Sequence, residues 1–184
     1  IYLIPFVGGV AVGKAYESNR LTEAQNYEIA MMGPIFGLGS CLALLVPYWL
    51  TGAEFWGASA AAVALVNLFN LLPIFPLDGG RVLRALFASA GRRVVLIGMG
   101  LSLLATAVLL FLIGAPMLAV LLGIGVMEFW AEFRRGGTIG RPMSALTIGV
   151  AIVGYLGLAA LLTGVILAAA DTSGGTLAMD ILRG

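Results

Sequence analysis

Long apolar runs constrain this chain more than any other feature of its sequence. Five runs approach the roughly 20 residues that a helix needs to cross about 30 Å of hydrocarbon. Of the 184 residues, 61% are hydrophobic and only 10% are charged, whereas about 25% are charged in soluble domains. So few charges cannot form a polar surface, and the sequence therefore predicts an integral membrane protein. The approximate bounds of the runs are 30–50, 57–76, 94–113, 116–133 and 144–169.

A shorter apolar stretch precedes these runs. Residues 1–13 are too few and too rich in glycine for a span, and their Val, Ile, Phe and Tyr content favours a short β segment. We therefore predict an all-α polytopic membrane protein of about five transmembrane helices, with a short N-terminal membrane-associated β segment. One domain is expected over 1–184. Its parts are a membrane-edge β segment and loop (1–29), a core (30–93), additional transmembrane helices (94–170) and a polar tail (171–184).

The basic residues predict an orientation in the lipid bilayer. They group before the first run, after the second and after the fourth, so the positive-inside rule places all three groups on the cytoplasmic side. We expect a bacterial plasma membrane. The net charge of +1 and the scatter of these residues argue against a nucleic-acid partner. The groups are Lys14 and Arg20; Arg81, Arg84, Arg92 and Arg93; and Arg134, Arg135 and Arg141.

The stretch 67–86 contains the candidate site, because an apolar helix there meets Asn70, two prolines, Asp78 and two glycines. Proline lacks an N–H and crowds the carbonyl four residues back, so we predict extended backbone from about 72 to 77. The next helix should begin at or near Asp78. Two interpretations of Asp78 stay open, an N-cap of that helix and a functional carboxylate, since ionisable groups beside membrane spans mark function.

Residues 70–80, which read NLLPIFPLDGG, resemble the N-x-x-P-x-x-x-L-D-G-G signature of the site-2 proteases, which are intramembrane zinc enzymes. Two more segments are similar to that family. Residues 28–39 (EIAMMGPIFGLG) resemble its helix with a Gly-Pro pair, and residues 4–10 (IPFVGGV) resemble its membrane-edge β segment. The resemblance covers roughly the first half of the chain. It implies a metalloprotease that cleaves transmembrane protein substrates in regulated intramembrane proteolysis.

The resemblance also implies roles for individual residues. Asp78 would be the third protein ligand of a catalytic Zn²⁺, beside two histidines of an H-E-x-x-H helix. Asn70 would stabilise the oxyanion of the tetrahedral intermediate, or would simply hydrogen-bond two helices together. Gly79 and Gly80 would permit close backbone approach, or only ease a tight turn. The Gly-Pro pair at 33–34 is assigned no chemistry, because a helix kink or close packing explains it equally well.

The chain contains no histidine, so the H-E-x-x-H helix and its glutamate base are missing. One carboxylate cannot hold a catalytic zinc, and we expect these residues alone to be inactive. We interpret the sequence as a fragment of an active protease that lacks that helix. The other acids offer no replacement, because we place Glu17, Glu23 and Glu28 in a polar loop and Glu128 and Glu132 at the membrane interface.

Two alternatives from other functional classes remain. One is a catalytically inactive site-2-protease-like membrane scaffold or client binder that retains the motif. The other is a small-solute transporter whose broken helix presents Asp78 to an ion. A transporter predicts a second interrupted helix in the other half of the chain, and no segment after residue 94 shows a matching pattern of proline and aspartate. We rank the transporter last.

Overall fold

The computed structural model describes residues 2–4, 8–10, 21–134 and 140–183. Helices dominate these residues, which confirms the predicted all-α architecture. They are α1 (Glu23–Thr51), α2 (Glu54–Asn70), α3 (Asp78–Ala88), α4 (Arg92–Ile113), α5 (Pro116–Arg134), α6 (Ala145–Ala168) and α7 (Ser173–Arg183).

The N-terminal strands are short. Strand β1 (Tyr2–Ile4) pairs antiparallel with β2 (Gly8–Val10), with Leu3 opposite Gly9. Each strand has only three residues, and the pair does not support the membrane-associated β segment that the sequence predicts. An isolated two-stranded pair is marginal at best, because stable sheets need more strands or a covering helix.

Four helices, α1, α4, α5 and α6, are long and apolar enough to cross a membrane. The prediction of about five such helices is wrong by one within the described chain. The second apolar run ends as a helix at Asn70, which leaves α2 with 17 residues. At 1.5 Å per residue its length is about 25 Å, less than the hydrocarbon thickness of about 30 Å. Pro73 and Pro76 fall in the turn that follows.

The helices α2 and α3 together run along α1 as one broken helix. Tyr48 of α1 contacts the start of α2, Gly37 contacts its last third, and Glu23 pairs with the end of α3. The contacts therefore move steadily toward the start of α1 as the chain proceeds through α2 and α3. The break between the two helices lies beside the middle of α1.

The start of α1 differs from the prediction. Thr22 caps the helix, since its hydroxyl accepts from the backbone N–H of Gln25 while the Gln25 side chain accepts from the N–H of Thr22. This capping box satisfies two N–H groups that the helix itself leaves unpaired. The predicted loop over 1–29 is therefore wrong at residues 23–29, which belong to α1. Glu23 is helical and only 1% exposed.

The predicted polar tail from residue 171 is also wrong, because α7 occupies most of it. This helix packs against α2 and α6, and its Ala178 belongs to the hydrophobic core. The Thr172 hydroxyl donates to the carbonyl of Ala169 at 2.7 Å and fixes the turn between α6 and α7. Eleven residues with one apolar face can pack on the bundle without forming a span.

The core lies where α1, α2 and α6 meet. Three alanines of α2 are fully buried there, and such small residues let membrane helices approach closely. Much of the outer surface is apolar, with Phe36 and Phe111 among the most exposed side chains, as lipid-facing helices require. The core residues from these three helices include Ala30, Cys41, Leu45, Ala60, Ala61, Ala64, Leu158, Leu162 and Ile166.

Ionic groups collect at one end of the bundle, which we call the charged end. Arg84 of α3 contacts Glu23 at the start of α1 and Glu132 near the end of α5, and Arg92 of α4 contacts the carbonyl of Phe133. The described arginines of the second and third basic groups thus lie near one another. Which side of a membrane this end faces stays a prediction. Outside the described residues lie Lys14, Arg20 and Arg135.

Candidate functional site

The segment between α2 and α3 is a turn, not the extended stretch that its prolines predict. The N–H of Leu77 donates to the carbonyl of Ile74 at 2.8 Å and closes a turn around the cis Phe75–Pro76 peptide. The N–H of Leu72 donates to the carbonyl of Phe69 at 3.0 Å. Proline excludes a helix but is equally compatible with a turn, so the pattern alone could not separate the two.

Side chains from two other helices hold this turn in place. The hydroxyl of Ser102 on α4 accepts from the N–H of Phe75 and donates to the carbonyl of Pro73, both at 3.1 Å. The hydroxyl of Tyr155 on α6 donates to the carbonyl of Leu71. These hydroxyls satisfy backbone groups that no helix pairs, which irregular backbone at membrane depth requires.

Asp78 is the first residue of α3, and Leu77 is the N-cap. The interpretation of Asp78 as an N-cap is therefore wrong, since its carboxylate caps no backbone N–H of α3. Within the described residues this half-buried carboxylate makes no hydrogen bond and no ion pair. Burial raises the pKa of the Asp78 carboxyl above its ordinary value, and the positive charge of Arg81, three residues along α3, opposes part of that shift. The turn thus presents a carboxylate that no described hydrogen bond or ion pair holds.

Two glycines of α1 make room for polar side chains from the broken helix. A Cβ atom at Gly33 would lie 3.1 Å from Oδ2 of Asp78, and a Cβ atom at Gly37 would overlap the amide of Asn67. Gly33 and Gly37 are one helical turn apart and share a face of α1. Their spacing predicts close helix packing, and the structure shows that polar groups occupy the space they leave.

The glycines that follow Asp78 pack against the turn itself. A Cβ atom at Gly79 would overlap the carbonyl of Leu71, and one at Gly80 would come within 2.7 Å of the carbonyl oxygen of Ile74. No side chain fits at either position. In the structure they let the start of α3 fold back onto the turn, which is the simpler of the two roles that the sequence suggests.

The two asparagines of this region have different surroundings. Asn70 is the last residue of α2 and is half-buried, and its side chain makes no hydrogen bond within the described chain. Asn67 instead lies against Gly37, and its Nδ2 donates to the carbonyl of Val63 at 2.8 Å. Sequence reasoning assigned no role to Asn67. The sequence did offer one indication of a role for Asn67: it lies three residues before Asn70 and therefore near the same face of α2.

Ion pairs anchor α3, the helix that begins with Asp78. Arg84 makes two bonds of 3.0 and 3.1 Å to the carboxylate of Glu132 and one of 3.4 Å to Glu23. Arg81 pairs with Glu128 at 3.4 Å in a more exposed position. The glutamates of α5 are thus paired with α3, and are not simply interfacial charges as the sequence suggests.

A cavity of about 270 Å³ lies between Asp78 and the charged end. Its walls include Ala30, Phe75 and Arg81, each three residues from either Gly33 or Asp78. Polar walls are also contributed by Asn26 and by the ion-paired residues of α3 and α5. A cavity of this size with charged groups in its walls can hold several water molecules. Water from the charged end can therefore come within about one helical turn of Asp78.

The residues present do not make a zinc site by themselves. Catalytic zinc uses three protein ligands and one open position. The described chain contains no group of three His, Cys, Asp or Glu residues that could hold a metal ion, and the whole sequence has no histidine. Asp78 is therefore a single candidate donor. The described residues supply no further donors that lie together with it.

Comparison with known proteins points to one part of the chain. Residues 48–113 match the sequence profile of Peptidase family M50. The match runs from the last turn of α1 to the end of α4, and includes Asn70, the turn and Asp78. No curated protein and no solved structure matches the chain.

Proposed function

We propose that this chain, whose residues 48–113 match Peptidase family M50, the site-2 protease family, contributes the core of an intramembrane zinc metalloendopeptidase. Members of this family are in general zinc metalloproteases. The observation that carries the proposal is the carboxylate of Asp78, which lies at a helix break among apolar helices and makes no hydrogen bond or ion pair with the described residues. Ionisable groups in such surroundings are expensive and mark function.

Asp78 is proposed as one ligand of the metal. Its carboxylate is uncommitted, Gly33 leaves space beside it, and Ser102 and Tyr155 hold the preceding turn in one conformation. A ligand held by rigid neighbours needs little reordering when a metal binds. Since the sequence has no histidine and one carboxylate cannot hold a catalytic zinc, these 184 residues alone are expected to be inactive.

Asn70 is proposed to contact the substrate. Its amide is uncommitted within the described chain, so its N–H groups are free to donate to an oxyanion that develops on a peptide carbonyl. The proposed substrate is a transmembrane segment that unwinds locally, because a helix hides its peptide bonds.

Zinc content tests the proposal directly. The protein, expressed from its complete natural coding region, would be purified in detergent as wild type, Asp78→Asn and Asp171→Asn. The exposed Asp171 lies outside the site and serves as a matched control. We expect stoichiometric zinc and cleavage of a transmembrane reporter in the wild type and in Asp171→Asn. In Asp78→Asn, cleavage should stop and zinc affinity should fall by more than about tenfold, as for loss of a zinc ligand.

An inactive membrane scaffold that binds client helices is the second candidate. The absence of histidine from these 184 residues favours it. It predicts neither zinc nor cleavage in the wild type, with reporter binding unchanged by Asp78→Asn. For either function we propose a bacterial plasma membrane as the location, with the charged end in the cytoplasm.

A further inference from the structure

The charged end contains two kinds of arginine. On α3, both arginines are paired with glutamates. On α4 and α5, by contrast, Arg92, Arg93 and Arg134 have no acidic partner in the described parts of the chain. We call these three residues the basic patch. Their charge is not compensated by the described fold.

One contact joins the two helices that carry the patch. Nη2 of Arg92 donates to the carbonyl of Phe133 at 2.8 Å, which joins the start of α4 to the end of α5. Within α5, the guanidinium of Arg134 lies 4.9 Å from the ring centroid of Trp130. The Nε–H of Arg92 is buried and has no acceptor among the described residues. The start of α4, where Gly91 provides no side-chain cap, adds the positive end of a helix dipole.

The helix surfaces that lead away from the patch are apolar. Ile97 lies one turn from Arg93 on α4, and Trp130 lies one turn from Arg134 on α5. Side chains four residues apart share a helix face, and both apolar side chains are more than half exposed. Arg93 and Arg134 therefore each lie at one end of an exposed apolar helix surface. This arrangement has the polarity of an anionic phospholipid.

We propose that the basic patch binds the phosphate of an anionic phospholipid whose acyl chains lie along α4 and α5. Arginine forms charge-assisted hydrogen bonds to phosphate oxygens, and its planar guanidinium can donate two parallel bonds to one phosphate. Basic pockets between membrane helices are suited to such headgroups. A lipid fits better than free phosphate, because the apolar surface continues from the patch. The proposal does not depend on the protease assignment.

Quenching of Trp130 fluorescence measures this binding. Trp49 and Trp56, which lie toward the opposite end of the bundle, would be replaced by phenylalanine in the full protein. The protein would be reconstituted in phosphatidylcholine bilayers that contain either brominated phosphatidylglycerol or brominated phosphatidylcholine in equal amounts. We expect stronger quenching by the anionic lipid. The preference for it should fall roughly fivefold for each patch arginine removed.

The matched comparison uses two double variants that remove the same charge from the same end. Arg92→Gln with Arg134→Gln should abolish most of the preference, whereas Arg81→Gln with Arg141→Gln should retain it. Circular dichroism would verify the helix content of each protein. Equal quenching by the two lipids in the parent protein would overturn the proposal. If both double variants lost the lipid preference equally, the preference would reflect only general electrostatic attraction, and the proposed site would be overturned. If inorganic phosphate removed the preference, the patch would be a site for free anions and not for a lipid.

Discussion

Oδ2 of Asp78 lies so close to Gly33 that a Cβ atom at Gly33 would stand 3.1 Å away. The two residues are on different helices and far apart in sequence, and their proximity defines the candidate site. Because the Asp78 carboxylate caps no backbone N–H, its removal should affect function much more than folding.

Asp78→Asn should therefore leave the free energy of unfolding within about 0.5 kcal/mol of wild type, the range of changes that break no specific feature. An N-cap role would instead cost about 1 kcal/mol on replacement by alanine. Unfolding in detergent, followed by circular dichroism for Asp78→Asn and Asp78→Ala, distinguishes these cases. A loss of about 1 kcal/mol in Asp78→Ala together with no loss in Asp78→Asn would restore the capping interpretation, because asparagine caps a helix as well as aspartate does.

Gly37→Ala should destabilise the bundle by about 1–3 kcal/mol, the usual range for overpacking. The new methyl group would overlap the amide of Asn67, which is held against α1. Gly39→Ala is the matched control, because a Cβ atom there meets no other atom within 4 Å. In the same unfolding assay it should be neutral or slightly stabilising, since alanine is the better helix former. Equal effects at the two positions would contradict the packing described here.

Ser102→Ala should lower the free energy of unfolding by about 1–3 kcal/mol, because it leaves the N–H of Phe75 buried without its acceptor and removes the donor to the carbonyl of Pro73. Ser59→Ala removes a similar hydroxyl that is exposed and bonds only to its own helix, so it should have little effect. Hydrogen exchange at 72–77 should rise in Ser102→Ala alone. Unchanged exchange there would mean that the hydroxyl does not hold the turn.

Arg84→Gln should cost about 3 kcal/mol, the usual penalty for breaking a buried ion pair. It leaves Glu23, which is 1% exposed, and Glu132 without their cation. Arg81→Gln breaks a pair whose arginine is 55% exposed, and should cost less than about 1 kcal/mol. Thermal unfolding of the two variants, side by side, makes the comparison. Similar losses would indicate that both pairs are equally solvated.

Much of this protein follows from local sequence patterns. Hydrophobic run length predicts the long helices α1, α4, α5 and α6, since a helix that crosses lipid must satisfy its own backbone and needs about 20 apolar residues to do so. The prolines at 73 and 76 predict a break for an equally local reason, the missing N–H and the fixed ring. The motif from Asn70 to Gly80 pointed to the family that the profile match supports.

Where the sequence prediction failed, the deciding interactions lie outside the segment concerned. Glu23 was assigned to a loop, but a capping box and an arginine 61 residues away place it in a helix and bury it. The tail from 171 was predicted only to be a short polar end, but most of it folds as α7 against α2. Neither result could be obtained from hydropathy, because both depend on which partners lie nearby.

The sequence by itself determined the membrane class, the long helices, the place of the break and the identity of the carboxylate at it. Only the tertiary structure decided that Asp78 faces Gly33, that Ser102 and Tyr155 hold the turn, and that α3 is tied to α5. The physical reason is how far apart in the sequence the interacting residues lie. Helix formation and hydropathy depend on neighbouring residues, whereas a site depends on which faces of distant helices pack together.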